Sequence, residues 1–410
     1  MSNPTRARQL TLLTGLYAAQ GLPFGFFSLA LPVLLREAGW SLTEISFLQF
    51  LALPWAIKFL WAAVVDHHGT PRTWLLSLQC AACAMAVLLS MLDLHLGSLL
   101  LFAAVFAFNL IAATQDVVTD GLAVRLLNAQ ERGLANGIQV GAYRLGMILG
   151  GGLLLWVFAR SNWLVMFLCM AALLALTTLP VLFWRDLPKP AVPAAKAAHA
   201  RGWHLGIAWW HRVMSPGMLV LVGLIFCYRF GDQLVSSLII PFLSDQGLGK
   251  ETIALMKGAV GSATSLLGAA VGGWLTFKVG RRQALLVSGL AQAAGFGLYI
   301  AVALGLGGVE LLWAATILEG VVGTMASVAL FALMMDASDP AHAGTDYTLL
   351  ASVVVVVSSL GNLAGGVLGD ALGYATAFTV GTVLAALGCL FLVWRLDRQP
   401  THQRVAQAWR

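Results

Sequence analysis

The feature that most constrains this chain is the succession of apolar runs, each about twenty residues long, that fills it almost from end to end. Between charges and Gly/Pro breaks the runs fall at 10–35, 42–65, 73–92, 97–125, 134–158, 163–184, 217–244, 251–277, 283–305, 309–336, 346–369 and 372–394. Each is long enough to cross a bilayer as a helix, so the pattern predicts an all-α membrane protein with twelve transmembrane helices. Composition agrees: 59% of residues are hydrophobic and 10% charged, against about 25% charged in an ordinary soluble domain. The first run follows Arg6 and Arg8 and contains Gln20, Gly21 and Pro23. It lacks the short h-region and small-residue cleavage site of a signal peptide, so it is expected to stay as a helix.

Orientation follows from where the basic residues lie. One set of alternate loops carries nearly all of them, from Arg6 and Arg8 through Arg72, Arg125, Arg132, Arg185, Arg201, Arg281 and Arg282 to Arg395 and Arg410. The other set carries only Arg36, Arg160 and Lys250. Both termini are therefore expected in the cytoplasm. The net charge of +6 suits an anionic lipid leaflet and calls for no nucleic-acid partner.

No cofactor or metal site is expected. The five cysteines (Cys80, Cys83, Cys169, Cys227, Cys389) all fall within apolar runs and show no zinc or disulfide spacing. His67 and His68 are adjacent without further ligands. The stretch "GLGKET", Gly247 to Thr252, lacks the first glycine of a phosphate loop. No nucleophile constellation or repeated pore filter is visible, which disfavours an enzyme or a channel.

The chain reads as two halves. Residues 1–184 and 217–410 each hold six runs, joined by 185–216, a Pro-, Ala- and Arg/Lys-rich cytoplasmic linker. The part around Trp203, Trp209 and Trp210 reads either as an interfacial amphipathic helix or as a plain tether. "RLGMILGG" (Arg144 to Gly151) aligns without gaps on "SLGNLAGG" (Ser359 to Gly366), and the loops "DHHGTPR" (Asp66 to Arg72) and "FKVGRR" (Phe277 to Arg282) correspond. Two six-helix halves in parallel repeat are the architecture of the major facilitator superfamily. Gly146/Gly150 and Gly361/Gly365, at four-residue spacing, are expected to be helix-packing faces.

Few polar side chains interrupt the runs, and a charge at bilayer depth costs at least about 2.5–3.5 kcal/mol. Such residues are candidate functional groups: Lys58, Gln115, Asp116, Asp120, Tyr143, Arg144, Arg229, Asp232, Lys257 and Glu319. At about 1.5 Å rise per residue, Arg144 and Arg229 lie roughly 15–18 Å deep, near the midplane. Asp116 and Lys58 are nearer the cytoplasmic ends, where Lys58 either snorkels or pairs with Asp116. Asp116 and Asp120 share a helix face one turn apart, so their like charges repel and a proton held by the pair relieves the repulsion. Proton coupling at these two residues stands beside the structural alternative, in which Asp116 pairs with Lys58 and Asp120 anchors the helix end near Arg125. Arg229 and Asp232 are close enough to neutralise each other. Arg144 has no acid within a turn on its own run, so a carboxylate from Glu319 or Asp232, or an anionic substrate, must compensate it. Asp66, at the end of the second run, is expected to hold the cytoplasmic side closed through Arg125.

"KFLW" (Lys58 to Trp61) with Asp66, "TQDVVTDG" (Thr114 to Gly121), "ERG" (Glu131 to Gly133), "YRLGM" (Tyr143 to Met147) and "YRFGD" (Tyr228 to Asp232) together resemble the peptide/acetyl-coenzyme A transporter branch of the major facilitator superfamily. That branch includes AmpG-type muropeptide permeases, generally longer and with extra membrane helices, and ferric-siderophore importers. The stretches "GLPFGFFSLALPVLLREAG" (Gly21 to Gly39) and "GTDYTLLAS" (Gly344 to Ser352) look more like the siderophore importers. The resemblance implies proton-driven import of a small molecule across a bacterial inner membrane; a monomer with membrane lipids as its other contacts is expected. A ferric siderophore is the first expectation and an anhydromuropeptide the alternative. From the polar residues within the runs, the candidate substrate contacts are Gln115, Tyr143, Arg144, Tyr228, Arg229 and Glu319, the candidate proton-coupling residues Asp116 and Asp120, and the candidate gating or structural charge pairs Lys58, Asp66, Arg125 and Asp232.

Overall fold

A computed structural model of the chain describes residues 4–37, 51–92, 98–127, 129–184, 210–211, 213–249, 252–253, 255–400 and 403–409. Among these residues every regular element is a helix and no strand occurs. In chain order they are α1 (Pro4–Gly25), continued by a π-turn (Phe26–Ala30) into α2 (Leu31–Glu37); α3 (Leu53–Ile57); α4 (Phe59–His67); α5 (Pro71–Ser90); and α6 (Ser98–Leu126). There follow α7 (Ala129–Ile148), continued by a π-turn (Leu149–Leu153) into α8 (Leu154–Arg160), then α9 (Trp163–Phe183) and α10 (Pro216–Asp245). The chain ends with α11 (Gly261–Val279), α12 (Arg281–Ala303), α13 (Val309–Ala337), α14 (Ala343–Arg398) and α15 (Gln403–Trp409).

Ten helices among the described residues are long and apolar enough to cross a membrane. One of them holds the last two expected spans: α14 runs through both, and Gly373, at φ +77°, turns the chain between them. The expected second span is represented by α3 and α4, since 38–50 lie outside the described residues. Most of the linker, 185–209 and 212, lies outside them too, and with it the expected interfacial helix.

Local sequence explains the helix starts. Thr70 caps α5 by accepting from the Thr73 amide, with Pro71 at the first helical position, where its missing N–H costs nothing. Asn162 caps α9 through the Val165 amide at 2.9 Å. The two loops matched as repeats turn on glycines at positive φ, Gly69 at +73° and Gly280 at +85°, a conformation side chains resist.

Two compact units are formed. The first comprises Met1–Leu126, Gly141–Leu205 and Asp339–Thr348. Its packing centres on two apolar clusters, one around Leu12, Leu16, Val117 and Leu122, the other around Phe26, Phe108, Met166 and Phe167. Where the clusters meet along α1 and α6, the buried side chains turn polar: Tyr17, Gln20, Asp116, Thr119 and Asp120, joined by Lys58. Lipid offers no hydrophobic drive between helices, so close backbone approach carries the packing. A Cβ on Gly146 would lie 2.9 Å from the Cα of Gly21, so α1 and α7 touch only because both residues lack one.

The second unit comprises Leu127–Val140, Gly206–Ser338 and Leu349–Arg410. Phe242, Phe296, Tyr299 and Phe378 form its aromatic centre, with Phe242 and Phe378 edge-on at 5.2 Å between centroids. Gly361 repeats the role of Gly146: a Cβ there would lie 3.1 Å from the Phe230 carbonyl oxygen.

Candidate functional site

In the first unit, the Lys58 ammonium forms an ion pair with Asp116, joining the break between α3 and α4 to the middle of α6. Both partners are buried, Lys58 at 5% exposure and Asp116 at 7%, where removing either would strand a charge at several kcal/mol. Lys58 also lies 5.4 Å above the Trp55 ring, and the Trp55 indole N–H donates to Asn109 Oδ1 at 3.1 Å. One turn further along α6, Asp120 accepts from the Tyr17 hydroxyl at 2.9 Å. Gln20 donates to Thr119 Oγ1 at 2.9 Å. Gln115 is buried, its amide 3.5 Å from the Leu16 carbonyl. The two carboxyls expected to handle a proton thus sit in one buried polar layer with one ammonium and one phenol as named partners.

A second cluster of the same unit lies at the end of α4. Asp66 accepts from Arg125 at 2.7 Å, from the Thr345 amide and hydroxyl at 2.7 Å each, and from the Gly344 amide at 3.3 Å. Arg125 reaches past it to the Pro340 carbonyl at 3.0 Å. A carboxylate facing the first amides of α14 meets the positive end of that helix's dipole. His67 and His342 lie alongside, ring centroids 5.5 Å apart.

In the second unit, Arg229 and Asp232 pair at 2.8 Å across one turn of α10. Asp232 also accepts from Gln233 at 2.8 Å and from the Gln292 amide, while Arg229 donates to Ser327 at 3.3 Å. Lys257 pairs with Glu319 at 2.8 Å, both partly exposed. Tyr228 is buried, its hydroxyl directed at the Leu285 carbonyl 3.4 Å away. Asp232 and Glu319, the two acids offered as partners for Arg144, are thus both engaged inside their own unit. Arg144 itself is exposed on α7.

Some groups in these clusters escape a search for charges at depth. Tyr17, Gln20, Trp55 and Asn109 carry no charge, and Thr345 reads as an ordinary helix residue. Asp336, fully buried, accepts from Arg132 at 2.9 Å and from Arg281 at 2.6 Å. Both arginines read in the sequence as loop charges that set orientation; their partnership with one acid had no local signal.

Comparisons with known proteins follow the fold closely. The family model for the Major Facilitator Superfamily matches residues 13–344 and 221–410. A protein of Haemophilus influenzae with no assigned function is 30% identical over 95% of this chain and 94% of its own length. The anhydromuropeptide permease of Escherichia coli K12 is 28% identical over 92% of this chain and 77% of its own length. A putative AmpG 4 transporter of Rickettsia felis is 24% identical, covering 92% and 94%. Among solved structures, the fucose:proton symporter of Escherichia coli superposes with a TM-score of 0.74 at 14% identity, covering 94% of this chain and 98% of that one. The human organic anion transporter MFSD10 gives 0.73 at 16%, covering 96% and 100%. At such identity these two speak for the fold alone.

Proposed function

The chain belongs to the major facilitator superfamily of membrane transporters, and from that premise we propose that it imports anhydromuropeptides from periplasm to cytoplasm across a bacterial inner membrane, coupled to protons. The observation that carries the substrate is the similarity, along nearly the whole chain, to a relative named an anhydromuropeptide permease. An anhydromuropeptide joins amino-sugar rings to a short peptide bearing carboxylates. Arg144, exposed on α7 and one residue from Tyr143, supplies a cation suited to such an anion.

The proton is assigned to the Asp116–Asp120 pair. Two buried carboxyls one turn apart repel when both are charged, and the ties to Lys58 and Tyr17 give each a partner to exchange during the transport cycle. The ties of Asp66 to Arg125, Gly344 and Thr345 would close the cytoplasmic side and break when it opens. Both termini lie in the cytoplasm on this reading, following the Lys/Arg asymmetry.

Ferric-siderophore import, the first expectation from sequence, loses its footing here. The two stretches that favoured it serve local structure: Gly344 and Thr345 bind Asp66, and Gly21 packs against α7. Helix packing and capping account for both. The test is uptake by a strain lacking its own permease, supplied with this chain. Labelled anhydromuropeptide should accumulate and ferric siderophore should not; the reverse result overturns the proposal.

A further inference from the structure

Three aromatic rings from three elements of the first unit meet around the buried polar layer. Phe24 of α1 and Trp55 of α3 stand edge-on at 5.5 Å between centroids, Phe24 and Tyr143 of α7 lie tilted at 5.9 Å, and Trp55 and Tyr143 are edge-on at 6.2 Å. All three rings remain partly exposed, unlike Phe26 and Phe167, which are fully buried in the adjacent apolar cluster.

Trp55 and Tyr143 point away from the exposed leucines of their own helices. At about 100° per residue, each lies roughly 160° around its helix from one of them: Trp55 from Leu53 and Tyr143 from Leu145. The rings are instead framed by polar groups. Lys58 sits over Trp55, Asn109 fixes the Trp55 indole, and Arg144 follows Tyr143 directly, exposed. Lys58 and Asn109 are themselves buried and engaged, so Arg144 is the exposed polar group of the three; an acyl chain would satisfy the rings alone, whereas a carboxylate-bearing pyranose presents an apolar C–H face to the rings and an anion to Arg144.

Resting on the anhydromuropeptide reading, we infer that Trp55, Phe24 and Tyr143 form the platform on which an amino-sugar ring of the substrate stacks, with Arg144 taking a carboxylate beside it. Trp55 offers the largest face and is held by both Asn109 and Lys58, so it is the main contact.

The test is direct titration of the purified full chain with a disaccharide-bearing anhydromuropeptide, the corresponding sugar-free peptide, and ferric siderophores. Trp55→Ala should weaken the sugar-bearing ligand by about tenfold, the scale of one aromatic contact, Trp55→Phe should recover most of that loss, and weak binding of the free peptide should not change. Tyr143→Leu, which keeps bulk and loses the ring, should weaken the same ligand selectively and decides the matter if Trp55→Ala fails to fold. Wild-type affinity for the sugar-bearing ligand in Trp55→Ala, or in Tyr143→Leu where that variant decides, overturns the platform and leaves muropeptide import standing; an equal loss for the free peptide does the same. A wild-type protein that binds siderophores and no anhydromuropeptide overturns both.

Discussion

Asp66 and Thr345, far apart in sequence, are joined twice: the Asp66 carboxylate accepts from the Thr345 amide and from its hydroxyl, each at 2.7 Å. The same carboxylate takes Arg125 at 2.7 Å, so one acid ties the ends of α4 and α6 to the start of α14. Asp66→Ala should leave Arg125 buried beside the Pro340 carbonyl without its counter-ion, at about 3–5 kcal/mol. The segment 339–348 should then loosen. A cysteine at position 342 is expected to label faster from the cytoplasmic side in Asp66→Ala than in the otherwise unchanged protein; equal labelling rates would count against a latch.

The Lys58–Asp116 pair separates coupling from structure. Asp116→Asn is expected to abolish accumulation driven by an imposed proton gradient while leaving substrate binding and downhill exchange. Lys58→Met alone should destabilise the protein by stranding Asp116, and Lys58→Met with Asp116→Asn should recover part of that loss. A coupling energy of about 0.5–3 kcal/mol from thermal unfolding would measure the contact. Undiminished gradient-driven accumulation by Asp116→Asn would reduce the pair to a structural tie.

Much of this arrangement is legible in the sequence because burying charge is costly. Lys58 and Asp116 fall at matching depth, Arg229 and Asp232 share a helix turn, and Asp66 and Arg125 end neighbouring runs; each is found paired. Depth alone does not choose among partners: Lys257, not Arg144, engages Glu319. Arg132 and Arg281 read as orientation signals because they lie at helix ends, and only the packing of α7, α12 and α13 brings both to Asp336. Neutral groups such as Trp55 and Asn109 carry no cost signal at all, and their contact depends on the register between α3 and α6, which no local pattern encodes. The glycines were more informative: Gly146 and Gly361, marked by spacing, do sit where backbones meet.

Asp336 should be the most sensitive charge of the second unit. It is fully buried and pairs with both Arg132 and Arg281, so Asp336→Ala removes a shared counter-ion from two cations at once, whereas Arg132→Ala or Arg281→Ala leaves one ion pair. The expected order of thermal stability is wild type, then either arginine variant, then Asp336→Ala, the last lower by about 3–5 kcal/mol. An arginine variant less stable than Asp336→Ala would show that the arginines hold the helices by other contacts.

Recognition rests on Arg144. A cation carried deep on a helix costs several kcal/mol unless solvated or paired, and the acids that could have served it, Asp232 and Glu319, pair with Arg229 and Lys257. The exposed side chain of Arg144, next in sequence to Tyr143, is therefore available to an anionic ligand. Its planar fork grips a carboxylate through two parallel hydrogen bonds, which an ammonium cannot do. Arg144→Lys keeps the charge and should weaken binding of a carboxylate-bearing anhydromuropeptide by roughly tenfold, the scale of one charge-assisted hydrogen bond; Arg144→Ala should weaken it further. Neither should change thermal stability much, because the side chain is exposed and no protein partner depends on it among the described residues. Amidating the ligand's carboxylates should erase the difference between wild type and Arg144→Ala. If the amidated ligand still distinguishes the two proteins, Arg144 acts through packing or through the sugar, and the anion must be held by another residue.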